Sequence, residues 1–186
     1  MTRAGFVMCG GLSSRMGTDK ALLPFHGRTL LEQVAEQVRT AVGAVTLLGP
    51  AERYAHLGFP VIPDRQPGCG PLAGILAALE SGKGDWNLIV ACDMPGVSAP
   101  RLVELLRAAS VADCDCLLPL GPTGQPEPLC AVYHSRSLPH LRLMFDSGVR
   151  KVTTALDGLH VTRHKVEDSL LFENVNTPSD WDTYRP

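Results

Sequence analysis

Residues Phe6–Lys20 read F-V-M-C-G-G-L-S-S-R-M-G-T-D-K. A short apolar run, Phe6 to Met8, feeds a loop carrying Gly10, Gly11 and Gly17, the hydroxyls of Ser13 and Ser14, and the cations Arg15 and Lys20. Glycines lack Cβ, so backbone N–H groups in such a loop can approach and wrap a polyphosphate. Arginine adds a planar fork for phosphate oxygens, and lysine a compact point charge. A Gly/Ser surface loop with two solvated cations has the same composition. What separates the two is position: the loop follows a strand-like run at the start of the chain, where an α/β protein places its first strand-to-helix turn, and this context favours phosphate binding. The spacing is not G-x-x-x-x-G-K-[ST], because Asp19 precedes Lys20 and Ala21 follows it. Nor is it G-x-G-x-x-G, because Gly10 and Gly11 are adjacent.

Working outward, strand-like and helix-like segments alternate, which predicts a parallel sheet covered on both faces. Thr29 to Glu32 reads as a capping box for a helix bearing Leu31, Val34, Ala35, Val38 and Val42 and ending at Gly43. Strands are expected at 45–48 and 60–63, with a short helix over 51–57 between them. Pro71 opens a helix through Leu79, and Asn87 to Ala91 is the most strand-like run in the chain. Ser98 is expected to cap a helix reaching about Ala109. The runs 116–120 and 129–133 flank a Gly/Pro-containing loop, as a hairpin or a widened crossover. Helices near 138–145 and 149–156, a strand over 160–166 and a terminal helix capped by Thr177 complete the reading. No repeat, linker or low-complexity segment interrupts residues 1–186, so one domain is expected.

The 186 residues include 17 Lys plus Arg and 19 acidic residues, a formal net charge of −2, with 45% hydrophobic and 19% charged content. These are the proportions of an ordinary soluble globule, with no basic excess for nucleic acid or anionic membranes. No apolar run approaches the roughly 20 residues that span a bilayer. Gly10 and Gly11 interrupt any signal-peptide core, so the expectation is a cytoplasmic protein without nucleic-acid or membrane partners. The six cysteines show no C-x-x-C and no histidine pair at zinc spacing, which points to free thiols. Cys114 and Cys116, two apart, are expected on one face of a strand. Cys9 lies inside the phosphate loop and could be reactive there.

Asp93 follows N-L-I-V-A-C, at the carboxyl end of a buried strand, where open α/β sheets bind their ligands. It is either the cap of the turn ahead of Met94-Pro95 or a hard oxygen ligand for Mg²⁺ bridging to substrate phosphates. Asp64 opens D-R-Q-P-G-C-G-P-L-A-G-I, which joins a strand end to a glycine-rich loop and a helix start. In F-E-N-V-N-T-P, Asn174 and Asn176 place two amides on one side of an extended segment, either as turn chemistry or as donors and acceptors for a heterocycle edge.

The opening segment resembles the L-A-G-G-x-S-x-R-M-G-x-D-K signature of the MobA-like nucleotidyltransferases, which join a nucleoside monophosphate to molybdopterin. Gly10, Gly11, Ser13, Arg15, Met16, Gly17, Asp19 and Lys20 match it, while Met8 and Cys9 replace Leu-Ala. C-D-M-P, D…G-P-L-A-G and N-V-N-T-P follow in the family's order, so the likeness spans nearly the whole chain. It implies a three-layer α/β/α Rossmann-like fold with a mostly parallel central sheet. It further implies Arg15, Lys20 and Asp93 as catalytic groups, with Mg²⁺ held by Asp93. Met8, Cys9, Gly10, Gly11, Ser13, Lys20, Asp64 and Asp93 would bind the nucleotide, and Asn174, Asn176 and Arg150 the molybdopterin. Glu127-Pro128-Leu129 matches family positions on that second side. The substrates implied are GTP and molybdopterin, or its molybdenum form. A monomer is implied, with transient contacts to molybdoenzyme apoproteins and cofactor-biosynthesis proteins. Cytidylyl relatives carry L-A-A-G, so Gly10 favours guanine, whereas Cys9 and the apolar Leu48 depart from the guanylyl pattern. CTP, another nucleotidyl transfer, and a catalytically silent nucleotide-binding accessory protein are the alternatives.

Overall fold

The computed structural model describes residues 1–10, 19–63, 66 and 68–184. Strand β1 (Arg3–Met8) is apolar from Ala4 onward, as a strand covered on both faces must be. A two-residue hairpin, β2 (Pro24–Phe25) and β3 (Arg28–Thr29), turns on His26 and Gly27, both at positive φ, before α1 (Leu30–Val42). The expected capping box is present: Thr29 Oγ1 accepts from Glu32 N–H at 3.2 Å, and the Glu32 carboxylate accepts from Thr29 N–H at 2.7 Å. Then come β4 (Thr46–Leu48), α2 (Ala51–Tyr54), β5 (Val61–Ile62), α3 (Pro71–Glu80) and β6 (Trp86–Ala91). The second half holds α4 (Ala99–Ala112), β7 (Cys116–Leu120), β8 (Cys130–His134), α5 (Leu138–Asp146), α6 (Val152–Ala155), β9 (Val161–Lys165) and α7 (Pro178–Tyr184).

Seven strands form one sheet in the order β5-β4-β1-β6-β8-β7-β9. All run parallel except β8, which is antiparallel to both β6 and β7. Side chains alternate between two buried layers: Val7, Leu88 and Val90 pack with α1 and α4, whereas Phe6 and Ile89 pack with α3, α5 and α6. The result is the expected three-layer arrangement. No described helix is long and apolar enough to cross a membrane.

Residues 116–120 and 130–134 pair as a hairpin, one of the two expected arrangements, with β8 inserted between β6 and β7. Three expectations need correction. Ser98 makes no side-chain cap; the Gln37 side chain of α1 accepts from Ala99 N–H at 2.9 Å instead, and α4 runs on to Ala112. The helix expected over 149–156 shrinks to 152–155. Cys114 lies before β7 and packs in the α1/α4 layer, opposite Cys116. All six cysteines are free.

Candidate functional site

The parallel register sets Met8 against both Leu48 and Ala91, so β1, β4 and β6 end along one edge of the sheet. A cavity of about 390 Å³ opens there. Met8, Cys9 and Gly10 wall it from the end of β1, Leu48 and Gly49 from β4, and Ile62 and Pro63 from β5. The start of α3 contributes Gly70, Pro71 and Gly74, and Asp19, Lys20 and Asp93 supply charge. Close approach favours glycine at Gly49, where a Cβ would lie 2.9 Å from Cys9 Sγ and 3.2 Å from the Cys9 carbonyl carbon; at Gly74 a Cβ would meet the flexible end of Met8, 2.6 Å from Cε.

A second cavity of about 280 Å³ lies beyond Asp93, lined by Asp93, Met94, Glu127, Pro128, Leu129, Asn174 and Asn176. Two features of the topology assemble it. Because β8 runs against β6, its amino end reaches the edge where β6 stops, and Ala91 N–H donates to Leu129 O at 2.7 Å. After β9 the chain returns across the same edge, and Val175 N–H donates to Asp93 O at 2.9 Å. This return presses against Gly96, where a Cβ would sit 1.9 Å from Leu170 O. Only glycine admits that crossing.

Lys20 joins the two cavities. Its Nζ donates to Asn176 Oδ1 at 2.8 Å and lies 3.6 Å from Asp93 Oδ2. These side chains are 19% and 24% exposed for Lys20 and Asp93, so the pair faces the openings without being fully solvated. Burial raises the Asp93 carboxyl above the ordinary carboxylate range, and the Lys20 ammonium only partly offsets it. Asp19, which precedes Lys20, is tied down: Oδ2 accepts from the buried Tyr54 hydroxyl at 2.8 Å, and Oδ1 accepts from Ala21 N–H at 3.1 Å. On the other side, the Asp180 carboxylate accepts from the N–H groups of Asn176 and Thr177, both at 2.8 Å. Thr177 Oγ1 accepts in return from Asp180 N–H at 3.2 Å. Those bonds hold the Asp180 carboxyl below its usual range and fix the backbone that presents Asn176.

Of the residues expected in the site, Met8, Cys9, Gly10, Lys20 and Asp93 meet in the larger cavity. Asn174 and Asn176 meet Asp93 in the smaller one. Gly11, Ser13, Arg15 and Asp64 lie outside the described residues. Arg150 lines neither cavity. Its guanidinium donates to the Phe145 and Val149 carbonyls at 2.7 and 2.9 Å and stacks 4.0 Å over the Phe145 ring, finishing the end of α5. Cys9 is not poised to react: its thiol donates to Leu48 O at 3.4 Å, and burial, aided by the Asp19 charge, pushes it up to about 12. Asp19–Tyr54, Asp180 and the Lys20–Asn176 bond escape sequence reading. Of these only the T-P-S-D run, with Asp180 three residues after Thr177, offers a signal, an acidic capping box.

Asp93 suits a divalent cation shared with a substrate. It is a hard oxygen donor, desolvated and facing both cavities, its burial only partly offset by Lys20. Among the described residues no group of three or more His, Cys, Asp or Glu side chains could enclose a metal alone.

A family model for the MobA-like NTP transferase domain matches residues 5–161. A Deinococcus radiodurans protein named "Probable molybdenum cofactor guanylyltransferase" is 34% identical over 174 residues, covering 94% of this chain and 89% of the relative. A Bacillus cereus protein of the same name is 32% identical, covering 96% and 93%. Among solved structures, molybdopterin-guanine dinucleotide biosynthesis protein A from Archaeoglobus fulgidus superposes with a TM-score of 0.82 at 30% identity, over 97% of this chain and 96% of that one. On the family model, the identity over nearly the whole length and the superposition, this chain belongs to the MobA-like NTP transferase family.

Proposed function

We propose that this protein is a molybdenum cofactor guanylyltransferase, moving GMP from GTP to molybdopterin or its molybdenum form with release of pyrophosphate. The observation that carries the reading is the pair of cavities meeting at Asp93 and spanned by Lys20. A nucleotidyl transfer needs two substrates whose phosphates converge on one point. The larger cavity, walled by backbone and apolar groups, suits a nucleoside. The smaller, rich in amide and carboxylate groups, suits a pterin.

In this reading a terminal phosphate oxygen of molybdopterin bonds to the α-phosphorus of GTP. The bond from that phosphorus to the bridging oxygen breaks, and its electron pair leaves on pyrophosphate. The nucleophile is already an anion, so the chain must supply alignment and relief of anion–anion repulsion rather than a strong base. Lys20 stands between the two cavities and meets both sets of phosphates. Arg15 serves the nucleotide phosphates. Asp93 holds the divalent cation, Mg²⁺, whose chemistry when bound is to draw charge from phosphate oxygens. Asn176 keeps Lys20 in place, and the Met8–Gly74 contact shapes the wall against which the nucleoside packs. The relatives' shared name supports guanine as the base.

The test is incubation with molybdopterin, Mg²⁺ and either GTP or CTP, following pyrophosphate and the dinucleotide product by mass. Turnover with GTP is expected. A preference for CTP would reassign the base, and turnover with neither would overturn the reading.

A further inference from the structure

The two carboxylates facing the smaller cavity sit in different company. Asp93 has the Lys20 ammonium 3.6 Å away. The Glu127 carboxylate has no hydrogen bond or ion pair from any described residue, and burial raises it. Its backbone is nevertheless rigidly held. Glu127 N–H donates to Pro119 O at 2.9 Å, its carbonyl accepts from Cys130 N–H at 3.1 Å, and the Tyr133 hydroxyl donates to Pro128 O at 2.8 Å. A half-buried carboxylate on a fixed backbone, with no donor among the described residues, is costly unless a ligand supplies the donors.

Resting on the molybdopterin reading, we propose that Glu127 recognises the pyrimidine edge of the pterin. Its two carboxylate oxygens accept hydrogen bonds from the ring N3–H and the exocyclic 2-amino group. That edge presents two parallel donors, the geometry a carboxylate takes up in bidentate fashion. A cation is the other occupant a carboxylate attracts, and it would not distinguish a pterin from its 2-oxo counterpart. The charges also set the ligand's direction. Glu127 repels the anionic end of molybdopterin, and Lys20, near Asp93, attracts it. The phosphate therefore points toward the larger cavity and the amino-bearing edge toward Glu127, as transfer requires.

The test uses 6-hydroxymethylpterin and its 2-oxo counterpart, 6-hydroxymethyllumazine, which lacks the 2-amino group, titrated by fluorescence against wild type and Glu127→Gln. Wild type is expected to bind the pterin about 10- to 100-fold more tightly than the lumazine, the range for hydrogen bonds to a charged group. In Glu127→Gln this gap closes while GTP binding, which reports an intact fold, is unchanged. In turnover the variant raises KM for molybdopterin by about the same factor, with kcat nearly unchanged. Equal binding of the two probes by wild type, binding of neither, or a gap that survives in Glu127→Gln would overturn the proposal. A wild type that keeps the gap yet turns over no molybdopterin would overturn the transferase reading and leave the pterin-edge assignment supported.

Discussion

The two cavities share Asp93 and Leu129, yet they are built by different means. The larger is made of strand ends, glycines and apolar walls such as Met8, Leu48, Ile62 and Ala77, with its charge gathered near Lys20. The smaller sets four polar side chains, Asp93, Glu127, Asn174 and Asn176, among Met94, Pro128 and Leu129. A surface of backbone and apolar groups selects by shape and closeness of approach. A surface of unlike polar groups selects by matching donors to acceptors, and discriminates more sharply because a mismatch leaves a buried group unpaired. Nucleotide affinity should therefore tolerate single substitutions that the second substrate does not.

Asp93 is where both cavities should fail together. Asp93→Asn is expected to lower kcat/KM by about 10²- to 10³-fold, the usual loss for one well-placed electrostatic contact. The same change should stabilise the fold at neutral pH. Burial raises the native carboxyl above its unfolded value. The group's stabilising contribution is therefore complete below the unfolded value and lost as pH rises through the native one. At pH 7 wild type carries that loss and the Asn variant does not. The melting temperature of the variant should exceed that of wild type at pH 7, with the difference closing in acid. Equal or lower stability at pH 7 would show that Lys20 compensates the charge in full.

Gly96→Ala should separate the cavities. The added Cβ would fall 1.9 Å from Leu170 O and 2.7 Å from its carbonyl carbon, so the returning chain must move. Overpacking of this kind costs about 1–3 kcal/mol. The displaced segment carries Asn174 and Asn176, so KM for molybdopterin should rise about tenfold or more while GTP affinity holds within a few-fold. Equal loss of both substrates would mean that the segment braces the nucleotide side as well.

Within the smaller cavity the two amides should behave differently. Asn176 accepts from Lys20 Nζ at 2.8 Å, whereas Asn174 Nδ2 donates to Phe172 O at 3.2 Å. Asn174→Ala should raise KM for molybdopterin alone. Asn176→Ala should also lower kcat, by about tenfold, because Lys20 loses a partner that holds it. Identical kinetic signatures for the two variants would remove Asn176 from the positioning of Lys20.

How much of this was legible depends on sequence distance. The phosphate-loop strand, the Thr29–Glu32 capping box, the α3 start at Pro71 and Asp93 at a strand end are local patterns, and the structure reproduces each of them. The larger cavity follows from such patterns because consecutive parallel strands bring their carboxyl ends to one edge. The smaller cavity does not, since it depends on β8 being inserted backwards beside β6, which no local periodicity encodes. Glu127 consequently read only as a family position, and Tyr54 as an ordinary helix residue. Arg150, expected on the molybdopterin side from the resemblance, has contacts that sequence reading did not foresee: its guanidinium finishes the end of α5.

Cys9 offers the smallest effect and a sharp check on the larger cavity's wall. Sequence position alone leaves its thiol open to reaction. In the structure it is buried, donates to Leu48 O, and is pushed up to about 12 by burial and the Asp19 charge. At pH 8 only about one thiol in ten thousand would then be ionised, against roughly a quarter for an ordinary cysteine. Iodoacetamide at pH 8 should label Cys69, which is partly exposed in the glycine-rich turn before α3, well before Cys9. Peptide mass mapping over time reads the order directly. Labelling of Cys9 as fast as Cys69 would mean that the end of β1 opens to solvent. Gly49, which leaves room for the thiol, would then not close that wall.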